Sequence, residues 1–265
     1  MIRIYRIEYA GRPRHVVANG DEWRLVNGDL FGAYELGDAI DAAGHRALAP
    51  VVPSKIVAIG LNYRDHAAEQ HKPLPAEPMM FLKPSTAVIG PDETILLPEG
   101  AGRIDHEAEV GVVIGKRARH VPEQDAAQYV LGLTCVNDVT ARELQRKDVQ
   151  YTRAKGFDTF APIGPSIAVG LDYHTPEGLG VEGWVNGARR QASTTRELIF
   201  PIDRLIAFIT KVMTLLPGDI ISTGTPAGIG PLAAGDRVTV KVEGVGELTN
   251  PVRSAGLQAC LQRST

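Results

Sequence analysis

From Lys55 onward the sequence is a succession of short apolar runs separated by turn residues: KIVAIGL, FLKP, TAVIG, EVGVVIG, LGLTCVNDV, GPSIAVG, VEGWV, DIIST, RVTVKVE and GELTN. Runs of this length bounded by Gly, Pro and Asp read as β-strands. The 28 glycines and 18 prolines supply the turns that so many strands need. Within Val185-Asn186-Gly187-Ala188, the Asn-Gly pair fits a type I′ hairpin, whose two central residues both take positive φ. Helical spacing is confined to Tyr63–Gln70, Glu123–Tyr129 and Asp203–Leu215. Strands do not alternate with long helices, which argues against a doubly wound nucleotide-binding sheet and leaves a β-rich α+β fold.

Residues 1–50 hold the strand-like pieces RIYRIEYA, HVVAN and EWRLV, then a short helical pattern over Leu36–Ala43, with no concentration of reactive groups. They read as a small N-terminal domain. Ala49-Pro50-Val51-Val52-Pro53 restricts the backbone and forms a linker to a main domain spanning 54–265. A chain of 265 residues is long enough for one substantial core with a small appended unit.

A formal net charge of −3 gives no field that would draw nucleic acid or an anionic membrane, so an anionic substrate must be held by local cations. Two cysteines, Cys135 and Cys260, are too sparse for a disulfide scaffold or a cysteine metal cluster. The opening MIRIYRIEYAGRPRH alternates apolar and basic residues and lacks the apolar core of a signal peptide. The longest apolar stretch, Leu205–Ile221, is broken by Lys211 and Pro217-Gly218-Asp219 and is too interrupted to span a bilayer. The expectation is a cytoplasmic protein without a membrane anchor.

The chemistry concentrates in carboxylates. In Ile104-Asp105-His106-Glu107-Ala108-Glu109-Val110, strand periodicity puts Asp105, Glu107 and Glu109 on one face and His106 on the other. Alternate residues lie about 7 Å apart, so two Glu side chains can reach one cation and repel each other without it. Oxygen-only ligands favour Mg²⁺, Mn²⁺ or Ca²⁺ over zinc. An isolated E-x-E is more often a solvated edge strand. A second element, Val136-Asn137-Asp138-Val139-Thr140-Ala141-Arg142, puts Asp138 at a strand end, where it would alone be a helix cap. In a third, Gly60–Glu69, Asn62 can cap a short helix that carries His66 and Glu69 at i and i+3. A carboxylate beside an imidazole raises its basicity, as a general base needs, although a surface His-Glu pair is the commoner outcome.

Together these pieces resemble the fumarylacetoacetate hydrolase family. The resemblance runs from about Lys55 to Val252 through GLNYRDHAAE, PMMFLKP, DHEAEVGVVIGK, GLTCVNDVTARELQ, KGFDTFAPIGP, VNGARRQ and PGDIISTGTPAGIGP. It implies a β-roll of mixed sheets with few helices, usually a homodimer, and Mg²⁺ or Mn²⁺ held by Glu107, Glu109 and Asp138. It further implies that His66 and Glu69 orient and activate water, that Lys155 approaches the substrate, and that Gln145 and Thr225 face it. The namesake enzyme has a fourth metal carboxylate ahead of the histidine. Ile56–Arg64 contains no acid, so the resemblance is to shorter, bacterial-type members.

A 2-oxo acid can chelate a cation through its carboxylate and keto oxygen, and the cation then neutralises enolate charge. The leading expectation is hydrolysis of a carbon–carbon bond in an acylpyruvate or related diketo acid. The runner-up is an isomerase or decarboxylase of unsaturated dicarboxylic 2-oxo acids in aromatic catabolism, or an oxaloacetate decarboxylase. A metal-binding protein without catalysis is the alternative of another class. Arg64, Lys83 and Arg142 are candidate clamps for a distal carboxylate. The apolar segment Leu198–Leu216 reads as core or subunit contact. Gly224–Gly230 lacks the Lys-Ser/Thr ending of a phosphate loop.

Overall fold

A computed structural model describes residues 1–256. Cys260 lies outside them. The architecture is β-rich with mixed sheets and few helices. The main path of the twelve-stranded sheet runs, from one edge, through Tyr34–Ile40, Glu22–Gly28, Arg12–Asn19, Ile2–Tyr9, Ala161–Val169, Val130–Asn137, Ala108–Ile114, Ile220–Ser222, Ile56–Gly60 and Met79–Lys83. Five further strands form a second sheet in the order Ala188–Thr194, Gly180–Val185, Arg237–Val242, Gly246–Ser254, Ile95–Leu97. A small third sheet joins Thr140–Ala141, Ile104–His106 and Gly230–Pro231.

The central strand Ala108–Ile114 is buried at every residue, pairing antiparallel with Val130–Asn137 on one side and Ile220–Ser222 on the other. Strands covered on both faces read as continuous apolar runs, and Val110, Val112, Val113 and Ile114 follow that rule. Glu109 breaks it. The largest core joins Val110, Val112, Leu133 and Ile221 to Val181, Val240 and Leu248 of the five-stranded sheet. Helix Ile202–Val212 closes that core with Ile202, Leu205, Ile206 and Ile209, an i, i+3, i+4, i+7 stripe. The buried residues of Leu198–Leu216 thus belong to the core, while Val212 and Leu216 stay exposed. The Asn186-Gly187 turn has φ of 51° and 77°, as a type I′ hairpin requires.

The leading strands join the main sheet through Ile2–Tyr9, whose first residues pair with Val169, Ala168 and Ile167, while Ile7, Val16 and Leu25 form a small cluster of their own. Over Leu36–Ala43 the sequence pattern is overruled: Tyr34–Ile40 is a strand paired with Glu22–Gly28. A stretch this short, carrying Gly37, does not repay helix nucleation, and the neighbouring edge offers a full hydrogen-bond ladder instead.

Candidate metal and substrate site

The D-x-E-x-E segment is not one strand. Ile104–His106 belongs to the three-stranded sheet and Ala108–Ile114 to the large one, and the chain passes between them at Glu107. The backbone N–H of Glu107 donates to Asn137 Oδ1 at 3.0 Å, and its carbonyl accepts from Asp138 N at 2.9 Å. This crossing, more than strand alternation, brings the carboxylates together. Glu107, Glu109 and Asp138 each place one carboxylate oxygen within 4.8 Å of the others, and all three are buried. Asp105, expected on the same face, instead pairs with Arg103 at 2.6 Å and Arg142 at 2.8 Å. His106 donates to Gln191 Oε1 at 3.1 Å, away from the cluster.

The charges within are unevenly matched. Glu107 takes Arg142 Nη2 on one oxygen at 2.5 Å and Lys155 Nζ on the other at 2.8 Å. Burial alone would raise its carboxyl, but these two cations hold it well below the usual carboxylate range. Asp138 takes Lys83 Nζ at 2.5 Å and Lys155 Nζ on its second oxygen. Among the described residues Glu109 has no cation in contact, only Ser222 Oγ at 2.6 Å and the N–H of Gly224 at 2.9 Å. Burial, then Asp138 and Glu107, push its carboxyl up to about 8. A buried triad of hard oxygen donors with one member lacking a countercharge fits a divalent cation of the Mg²⁺ or Mn²⁺ class. Lys155 serves as partial counter-ion: burial lowers its ammonium, but Asp138 and Glu107 outweigh that and raise it.

A cavity of about 250 Å³ opens onto this cluster, with Glu107, Glu109, His66, Lys155 and Thr225 among its lining. Glu69 Oε2 lies 2.8 Å from His66 Nδ1, and Glu69 Oε1 accepts the N–H of Gly228 at 2.9 Å, tying helix Arg64–Glu69 to the loop that carries Thr225. Thr225 donates to Ala108 O at 2.9 Å and accepts from Gln191 Nε2 at 2.8 Å. Gln145 lines the cavity with Oε1 held by Arg142 Nη1 at 2.8 Å. Arg142 also lines it, but its bonds to Asp105, Glu107 and Gln145 make it first a brace for Glu107.

Other expectations are corrected. Arg64 does not reach the cavity: its Nη1 donates to the carbonyl of Leu198 at 2.9 Å, because the first turn of its helix faces the 196–198 backbone. Lys83 is no clamp either, being fully buried beneath the cavity on Asp138. Asn62 does not cap the helix. Its amide donates to Phe200 O and Thr223 O at 3.1 and 2.7 Å and accepts from Phe200 N at 2.9 Å, fastening three segments beneath the site. Gln70, Lys72, Arg146, Phe81 and Tyr151 also line the cavity, and of these only Arg146 and Phe81 lie outside the loops 69–78 and 148–154 that the sequence marks for specificity. Arg146 follows Arg142 by four residues on helix Arg142–Lys147, a spacing that could have revealed it. Phe81 lies 5.0 Å from Lys155 Nζ and meets Tyr151 edge-on at 5.5 Å, giving the lysine an aromatic wall.

Residues 55–253 match the family model described as fumarylacetoacetate (FAA) hydrolase C-terminal. The chain belongs to the fumarylacetoacetate hydrolase family. Among solved structures, a 5-carboxymethyl-2-hydroxymuconate delta-isomerase from Mycobacterium smegmatis is 43% identical with a TM-score of 0.87, covering 96% of this chain and 100% of that one. A 2-hydroxyhepta-2,4-diene-1,7-dioate isomerase from Mycobacterium marinum is 39% identical with a TM-score of 0.88, covering 97% and 100%. An oxaloacetate tautomerase of Xenopus laevis is 41% identical over 215 residues, 77% of this chain and 67% of the relative. Members of this family include isomerases, so the chain is an enzyme of this family with an acidic cluster able to hold a metal. Among the described residues no helix is long and apolar enough to cross a membrane.

Proposed function

We propose that the protein catalyses divalent-metal-dependent keto–enol proton transfer on a small dicarboxylic 2-oxo acid, oxaloacetate or an unsaturated homologue. The observation that carries this reading is Lys155: a buried ammonium, held protonated by Glu107 and Asp138, that faces the same cavity as Glu109. A cation held by Glu107, Glu109 and Asp138 supplies positive charge for an enolate oxygen. Lys155 Nζ delivers a proton to the carbon beside the 2-oxo group and takes back the one leaving the enol hydroxyl, so a proton moves from oxygen to carbon with no net change. Arg146 and Lys72, which make no ion pair among the described residues, receive the distal carboxylate at the cavity mouth. Thr225 and Gln145 orient the 2-oxo acid end. The activities of the two isomerases and the tautomerase support the same chemistry, because each is a proton relocation on an acid of this kind.

Hydrolysis of an acylpyruvate carbon–carbon bond is the second reading, and the 2.8 Å contact between His66 and Glu69 favours it. There His66 would deprotonate a water that attacks the distal carbonyl. A mass-resolved product assay with Mg²⁺ or Mn²⁺ and an EDTA control separates the two. Oxaloacetate and an unsaturated dicarboxylic 2-oxo acid should yield equal-mass products, whereas EDTA-sensitive pyruvate plus a second acid from acetylpyruvate or fumarylpyruvate as the main activity would replace this reading with hydrolysis. CO₂ release from oxaloacetate would make the protein a decarboxylase. Metal binding without turnover of any of the four would leave a non-catalytic metal-binding protein.

A further inference from the structure

The imidazole of His66 is held at both nitrogens by the one helical turn that carries it. Glu69 Oε2 lies 2.8 Å from Nδ1, and the side-chain nitrogen of Gln70 lies 2.7 Å from Nε2. Residues three and four positions ahead share a helix face, which is why both reach the same ring. A carboxylate only accepts and an amide nitrogen only donates. The two contacts therefore select one neutral tautomer: Nδ1 carries the proton and donates to Glu69, and the Nε2 lone pair accepts from Gln70. The backbone fixes Gln70 in turn. Its N–H donates to His66 O at 3.1 Å, its φ of −87° and ψ of 0° end the helix, and His71 then enters the left-handed region at φ 52°. Gln70 also lines the cavity beside His66 and Lys155.

Hydrolysis needs that Nε2 lone pair turned to a water. The water adds to the distal carbonyl carbon and gives its proton to Nε2. The carbon–carbon bond then breaks, its electron pair passing to the carbon beside the 2-oxo group, which takes up a proton. With Nε2 already accepting from Gln70, the water has no acceptor there. We propose that Gln70 is a positioning residue that sets the reaction: its amide masks Nε2 of His66 and suppresses water attack, while keto–enol transfer runs through Lys155. This rests on the proposed function, in that Lys155 and not His66 moves the proton in tautomerisation.

Two substitutions of similar volume test it. Gln70→Leu removes the donor; Gln70→Glu keeps the shape and replaces the donor with an acceptor, which holds a proton on Nε2. The readouts are pyruvate release from acetylpyruvate and tautomerisation of oxaloacetate, both with Mg²⁺, and the imidazole nitrogen resonances of His66 in ¹⁵N-histidine-labelled protein. Losing one hydrogen bond to the base predicts that Gln70→Leu raises the hydrolysis-to-tautomerisation ratio by about tenfold. The Nε2 resonance should move toward that of an unbonded ring nitrogen. Gln70→Glu should leave the ratio within about twofold of the wild type. An unchanged or lowered ratio in Gln70→Leu, or an equal rise in both variants, would overturn the proposal and make Gln70 a filler of space. If Gln70→Leu does not fold, Gln70→Met carries the same expectation. A wild type without tautomerase activity refutes the parent reading instead; the masking is then judged by resonance alone and fails if Nε2 is unmoved between the wild type and Gln70→Leu.

Discussion

Glu109→Gln isolates the one carboxylate of the triad that has no cation in contact among the described residues. Its carboxyl, pushed up to about 8 by burial and by Asp138 and Glu107, binds a proton in the folded protein that the unfolded chain releases near the ordinary glutamate value of about 4.5. The sign follows from linkage: a raised folded pKa gives stability that is fully present below about 4.5 and is lost as pH rises toward about 8. Over that window the metal-free protein should lose up to about 1.4 kcal/mol per pH unit from this group. For a domain of roughly this size that is about 3–6 °C in Tm per unit. Glutamine keeps the shape and abolishes the titration, so metal-free Glu109→Gln should melt with a much flatter pH dependence and lie above the wild type at pH 8. Saturating Mn²⁺ should raise the wild-type Tm at pH 8 and leave Glu109→Gln nearly unmoved, since binding to the folded state is what stabilises it. Melts followed by circular dichroism at pH 5.5, 6.5 and 8, with EDTA or Mn²⁺, measure both effects. Equal pH slopes in the two proteins, or an equal response to Mn²⁺, would refute this account of Glu109.

Lys155→Met should lower tautomerisation by at least about a hundredfold, as expected for loss of a positioned proton donor, and should also cost about 3–5 kcal/mol of stability because it leaves Asp138 with Lys83 alone and Glu107 with Arg142 alone, so activity is compared on protein shown folded by circular dichroism. Lys83→Met should cost about 3–5 kcal/mol of stability in urea melts, because it strands the buried Asp138 beside a single remaining lysine, and a loss below about 1 kcal/mol would contradict that. Arg146→Ala should raise KM several-fold with little change in kcat, whereas Arg64→Ala should change neither by more than about twofold, since its guanidinium is bonded to the Leu198 carbonyl outside the cavity.

The carboxylate cluster could be picked out because the family resemblance joined Glu107, Glu109 and Asp138, where residue pattern alone pointed to a solvated edge strand and a helix cap. The structure removes the edge-strand reading, since Glu109 lies in a strand buried at every residue and Asp138 follows directly on its paired strand. The β-rich fold was equally legible, because turn residues mark nearly every strand end. Strand alternation misplaced Asp105, since a local period does not reveal that the chain changes sheets at Glu107. The cations were harder still. Arg64 and Arg146 look alike in sequence, yet one lies against the 196–198 backbone and the other faces the cavity, a distinction set by helix packing. Lys83 reads as a candidate clamp for a distal carboxylate, whereas its burial on Asp138 depends on strand Met79–Lys83 pairing with Ile56–Gly60. Gln70 carries no signal of its own until the helix places it opposite Nε2 of His66.

The most direct test is exchange of the C3 hydrogens of oxaloacetate with deuterium, followed by proton NMR in D₂O with Mg²⁺, which does not broaden the spectrum as Mn²⁺ would. Exchange above the protein-free rate, abolished by EDTA, by Asp138→Ala and by Lys155→Met but retained without mass loss in the wild type, is the result predicted. Exchange no faster than without protein, or exchange that survives EDTA and Asp138→Ala, would contradict a metal-supported enolate at Glu107, Glu109 and Asp138.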